Sequence, residues 1–123
     1  MKVLFPSQDA SMDSKMSPVF GRCPYFMVVE IENGSIVGST PVPNEAVSQQ
    51  GGAGIAAAQA AHELGVSIIV AGTVGPKAFD ALKSLGIEVY ESVSGTVQDN
   101  ADAFLQGQLP KASPDSHAGL FKK

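Results

Sequence analysis

Few side chains in this sequence are equipped for chemistry, and their neighbours narrow what each could do. Cys23 is the single cysteine and stands between Arg22 and Pro24. An adjacent guanidinium can stabilise a thiolate, and a thiolate is a soft metal ligand. The alternative is a buried, inert thiol, a common state for a lone cysteine. One thiolate cannot hold a cluster that takes four cysteines. Metal binding at Cys23 therefore requires a homodimer, other ligand types, or a preassembled cluster that brings its own sulfide. His62 falls near the C-terminal end of an alanine-rich helical stretch, where the helix dipole favours a cation, so capping is favoured over ligation. His117 lies in a C-terminal tail and is a weak metal candidate. Met12 and Met16 carry thioethers suited to soft ions, whereas Met27 sits in a strand-like run and reads as core.

The carboxylates do not assemble into catalytic equipment. A site holding two divalent ions needs several acidic groups at one spot, and of Asp9, Asp13 and Asp80 only Asp9 leaves the appropriate strand end. A phosphate-ester enzyme is accordingly the weakest functional reading. Ser7, His62 and Asp9 form no triad, because the helix end bearing His62 points away from Ser7. No catalytic residue is expected. Two glycine-rich loops offer a different chemistry: Gly51-Gly52-Ala53-Gly54 and Gly72-Thr73-Val74-Gly75-Pro76 each open a helix. Helix N-termini expose unpaired amides and a partial positive charge that attract anions. Neither loop has the Gly-Lys-Ser/Thr ending of a phosphate cradle or the three spaced glycines of a dinucleotide site. Turn and packing roles for these glycines remain the competing explanation.

The elements that position these residues follow from patterning. Lys2 to Pro6 predicts a buried first strand, followed by a long polar loop from Ser7 to Arg22. Tyr25 to Glu32 and Ser35 to Val42 predict an antiparallel pair joined by the hairpin signal Asn33-Gly34. Ile55 to Leu64, stopped by Gly65, is helix-favouring, and Val66 to Ala71 has the continuous apolar character of a central parallel strand. A second helix opens at Gly75-Pro76 and ends near Gly86, and Ile87 to Tyr90 supplies a fifth strand. A third helix begins after Ser94-Gly95-Thr96. The order β-β-β-α-β-α-β-α predicts an α/β fold with a mixed five-stranded sheet in the order 3-2-1-4-5, strand 2 antiparallel, and three helices. The order reverses between strands 1 and 4, so a ligand is expected where Ser7-Gln8-Asp9 and Gly72-Thr73 emerge.

Composition excludes several classes. A chain of 123 residues with 44% apolar content suits one domain, read as residues 1–109 followed by a flexible tail, 110–123. A formal net charge of −4 without a basic cluster argues against nucleic-acid binding. No run approaches the roughly 18 apolar residues of a membrane span. Nor does Met1 to Pro6 resemble a secretory leader, and the lone cysteine fits a reducing compartment, so the cytoplasm is expected.

The segment Ser7 to Phe26, with Asp9, Asp13-Ser14 and Phe20-Gly21-Arg22-Cys23-Pro24-Tyr25-Phe26, precedes Gly52-Ala53-Gly54, Gly72 to Pro76 and Gly95-Thr96-Val97. Together these motifs resemble the dinitrogenase iron–molybdenum cofactor biosynthesis family over about residues 1 to 109. The resemblance implies a ribonuclease H-like α/β fold without nuclease residues. It also implies a carrier for an anionic metal–sulfur cluster or precursor, of iron–sulfur, iron–molybdenum or molybdenum–copper type, exchanged with donor and acceptor proteins. On this reading Ser7, Asp9, Arg22, Cys23, Gly51, Gly52, Gly54, Gly72, Thr73 and Gly75 are the candidate binding residues. Many relatives carry a small residue at the position of Cys23, so a thiolate there is no general family requirement. A protein-interaction module that never touches metal is the competing function.

Overall fold

The computed structural model describes residues 1–45 and 51–112. Its strands are β1 (Lys2–Ser7), β2 (Tyr25–Glu32), β3 (Ser35–Pro43), β4 (Ile68–Ala71) and β5 (Glu88–Glu91), and its helices are α1 (Ala53–Glu63), α2 (Pro76–Ser84) and α3 (Val97–Leu105). They build one mixed sheet in the order β3-β2-β1-β4-β5, the arrangement that the patterning predicts. β1 runs antiparallel to β2 from Lys2↔Glu30 to Ser7↔Tyr25. It runs parallel to β4 at Val3↔Ile68 and Leu4↔Ile69, and β4 is parallel to β5. The β2–β3 turn takes positive φ at Asn33 and Gly34, 53° and 76°, as a two-residue hairpin of matching twist requires.

Side-chain alternation along the strands divides the core into two layers. Leu4, Phe26, Val28 and Ile69 pack against Ala57, Ala58 and Ala61 of α1 and Leu82 of α2. Val3, Phe5, Met27, Val29 and Val70 pack on the opposite face against Val97 and Ala101 of α3. Burial of each large apolar side chain contributes about 1.5–3 kcal/mol, and the alanine face of α1 lets its backbone lie close to the sheet. No helix among the described residues is long and apolar enough to cross a membrane.

The segment between β1 and β2 is irregular but firmly held. Isolated bridges tie Ser7 to Met16, Lys15 to Thr96 and Val19 to Thr73. Its carbonyls also close the N-terminus of α3, where Val97 N–H donates to Ser14 O and Gln98 N–H to Met12 O, each at 2.9 Å. Thr96 and Asp99 complete that end with a reciprocal capping box.

The described residues after α3 pack back onto the sheet. Leu109 and Ala112 are buried. Glu91 N–H donates to Pro110 O at 2.9 Å and Ala112 N–H to Val89 O at 2.8 Å, so 109–112 lie antiparallel along the outer edge of β5. An edge strand offers a row of unpaired backbone groups, and this segment satisfies them while burying two apolar side chains. Lys111 and Glu88 form an ion pair beside it. His117 lies outside the described residues.

Candidate anion-binding cleft

Two of the three helices end without a side-chain cap, and both open onto the same space. The N-cap of α1 is Gly52 and that of α2 is Gly75; neither helix has an acidic residue in its first turn. A cleft of about 450 Å³ lies between those first turns, bounded by Gly52 to Ile55 on one side and Gly75 to Ala78 on the other. Val19, Phe20 and Arg22 supply its third wall, and Lys77 joins Arg22 as a second exposed cation on the lining. Lysine in the first turn of a helix opposes the dipole, so its placement beside Arg22 concentrates positive potential where first-turn amides have no intrahelical partner. The arrangement has the chemistry to hold an anion between largely apolar walls.

Backbone packing fixes the width of this cleft. A Cβ added to Gly54 would lie 2.8 Å from the Cβ of Ala78. One added to Gly21, where φ is +100°, would lie 2.9 Å from the Cα of Gly54. The loop therefore rests directly on the first turn of α1, which rests on α2, and only glycine permits both approaches.

The geometry answers the thiolate expectation for Cys23. Its side chain has no exposed surface and belongs to the α1–α2 side of the core with Phe20 and Phe26. Burial pushes the thiol up to about 11, partly offset by backbone hydrogen bonds at Gly21 and Cys23 and by the Asn44 side chain. The neighbouring guanidinium does not prevail, because Arg22 stands exposed while Cys23 turns inward, so the thiol is protonated at neutral pH.

The other candidates divide into those at the cleft and those used elsewhere. Gly52, Gly54, Gly75 and Arg22 line it, and Gly51 is exposed one residue before its rim. Ser7 is buried at the end of β1, where its hydroxyl donates to Asp9 O at 2.6 Å. Asp9 accepts from Ala10 N–H at 2.8 Å within the same turn and does not line the cleft. Gly72 is exposed and Thr73 half-buried, and the loop is tied to them by backbone hydrogen bonds: Thr73 N–H donates to Pro18 O at 3.0 Å and Thr73 O accepts from Phe20 N–H at 2.9 Å. The loop thus pairs with the chain leaving β4 at the switch point, and the cleft lies beside it at the first turns of α1 and α2. Met12 and Met16 are half-buried against the α3 side of the sheet. Among the described residues, no three His, Cys, Asp or Glu side chains converge as they would around a bare metal ion.

Lys77 on the lining and Asn44 behind it were not anticipated from the sequence. Lys77 carried a signal, a cation at the unfavourable end of a helix directly after Gly75-Pro76. Asn44 carried none. Its buried amide reaches back to the carbonyls of Gly21 and Cys23, at 3.0 and 2.9 Å.

Comparison with known proteins is consistent across sequence and structure. The family described as dinitrogenase iron–molybdenum cofactor matches residues 1–107. An uncharacterized protein of Methanocaldococcus jannaschii is 37% identical over 111 residues, 90% of this chain and 91% of that protein. The apo form of the orange protein from Desulfovibrio gigas superposes with a TM-score of 0.84 at 34% identity, covering 91% of this chain and 92% of that one. A candidate NifB protein from Thermotoga superposes with a TM-score of 0.73 at 32% identity, covering 89% and 91%.

Proposed function

Because the chain belongs to the dinitrogenase iron–molybdenum cofactor family, we propose that it is a non-catalytic carrier for an anionic metal–sulfur cluster or cofactor precursor, held in the cleft between α1 and α2. The observation that carries this reading is the convergence of two uncapped helix N-termini with Arg22 and Lys77 in one cleft. Sulfide-coated clusters of iron–sulfur, iron–molybdenum or molybdenum–copper type are large, polarisable and weakly hydrated anions. They lose little on leaving water for walls such as Val19, Phe20, Ile55 and Pro76, and they accept hydrogen bonds from backbone amides. Compact oxyanions are more strongly hydrated and are less well served by those walls. The cargo carries its own sulfide, so no residue need ligate its metal, and Cys23 serves as a core anchor rather than a ligand. Donor and acceptor proteins in the cytoplasm would load and unload the cleft.

The test is anaerobic reconstitution with iron and sulfide, and separately with thiomolybdate and copper, followed by metal and acid-labile sulfide analysis and the visible spectrum. Stoichiometric, coloured protein that keeps its cluster in Cys23→Ala and loses it in Arg22→Ala/Lys77→Ala is the expected result. A colourless, metal-free wild-type protein would overturn the carrier reading.

A further inference from the structure

We propose that Asn44 is a positioning residue that sets the affinity of the cleft through Arg22, by clamping the backbone on both sides of that arginine. The inference rests on the anion-cleft reading above. Arg22 is exposed, yet Gly21 and Cys23 on either side of it are buried. The Asn44 side chain is itself buried, with 4% of the residue exposed, and donates from Nδ2 to Gly21 O at 3.0 Å and to Cys23 O at 2.9 Å. Asn44 N–H donates to Pro24 O at 2.9 Å, which aligns the amide against the strap. One buried group therefore satisfies the two carbonyls that bracket Arg22.

The strap has two further fixings. Gly21 lies against the backbone of Gly54 in α1, and the Cys23 side chain is embedded in the core. The cation is thus delivered to the cleft from a backbone tied to the helix whose amides face the same ligand. A long side chain loses conformational freedom when it engages an anion, and a fixed root leaves less freedom to lose. Removing the Asn44 amide strands two carbonyls in the core and releases that root while leaving the charge itself in place.

Arg22 is the only arginine in the sequence, so its Nε–Hε group gives a single nuclear magnetic resonance signal that reports on the clamp without any ligand. The experiment compares wild type, Asn44→Ala, Arg22→Ala and the double variant. It measures anaerobic tetrathiomolybdate binding and Arg22 Nε–Hε relaxation well below the melting temperature. In Asn44→Ala the expected results are about tenfold weaker binding, the scale of one charge-assisted hydrogen bond, and an Arg22 signal averaged by faster motion. In the Arg22→Ala background, Asn44→Ala should change binding by less than about twofold, within the usual error of additivity. Equal losses in both backgrounds, or an Arg22 signal unchanged by Asn44→Ala, would overturn the proposal. If Asn44→Ala does not fold, Asn44→Ser keeps one donor and should show the same coupling at smaller amplitude. Wild-type protein that binds no tetrathiomolybdate counts against the cleft reading, whereas the relaxation measurement still decides the clamp.

Discussion

Gly54→Ala places a methyl group at the point where α1 and α2 touch. The new Cβ would stand 2.8 Å from the Ala78 Cβ, about 1 Å inside an ordinary carbon–carbon contact of roughly 3.5–4.0 Å. The neighbour is a short side chain rooted on a helix, so relief requires the two helices to separate. Overpacking of that kind costs about 1–3 kcal/mol. Replacing glycine by alanine in a helix returns up to about 1 kcal/mol, and less in a first turn. The net expectation is a destabilisation of about 1–2 kcal/mol, or a fall in melting temperature of roughly 5–10 °C for a domain of this size. Ala78→Gly removes the opposing methyl, so Gly54→Ala/Ala78→Gly should lose less stability than the two single changes added together, by at least about 1 kcal/mol. Urea unfolding followed by circular dichroism supplies all four values of the cycle. Gly54→Ala melting at or above wild type, or additivity within about 0.5 kcal/mol, would refute the contact as described.

Gly75 sits in open space with φ −60° and ψ 157°, a conformation any capping residue adopts. Gly75→Asp should therefore cap α2 and raise stability by a few tenths of a kcal/mol to about 1 kcal/mol. It should weaken thiomolybdate binding more than tenfold, read by equilibrium dialysis, because its carboxylate competes for the same amides. Asn100→Ala removes an amide that accepts from Val93 N–H at 2.8 Å and donates to the carbonyls of Val93 and Thr96, each at 3.0 Å. The expected loss is about 2–3 kcal/mol in urea unfolding. Burial raises the Cys23 pKa from 9.0 to about 11, so above the ordinary thiol value the unfolded chain releases a proton that the native chain retains. The contribution of this group should be level below about pH 9, fall between about pH 9 and 11, and flatten beyond, with a loss of about 3 kcal/mol. In Cys23→Ala the fall between about pH 9 and 10, below the range in which Lys111 titrates, should disappear from the stability profile.

How much of this was legible in the sequence depends on whether a signal was local. The Asn33-Gly34 hairpin, the continuous apolar run at Ile68–Ala71 and the glycine-opened helices each announce themselves within a few residues, and they determine the strand order. The loop over the switch point does not. Pro18 to Phe20 bind Thr73 through backbone atoms alone, which leave no trace in residue type, so the separation of the cleft at Gly52–Ile55 and Gly75–Ala78 from Gly72 and Thr73 is not apparent from patterning. Asn44 reaches partners 21 and 23 residues away and resembles any polar residue in a linker. Likewise, nothing in the residue types of 110–112 announces that they lie along β5, because the edge that they cover is a property of the sheet. Arg22 was recognisable as a candidate from its motif. Its partnership with Lys77 depends on α1 and α2 packing through Gly54 and Ala78, a tertiary contact.

The most direct test of the central claim is anaerobic equilibrium dialysis of tetrathiomolybdate against wild type and Arg22→Ala/Lys77→Ala, at low and high salt, with molybdate as the competing oxyanion. Saturable binding near one equivalent, weakened by salt, reduced at least tenfold in the double variant and poorly displaced by molybdate is the predicted result. Binding that is unaltered in the double variant, or equally strong for molybdate, would contradict a cleft built from two helix N-termini and two cations to hold a sulfur-coated anion.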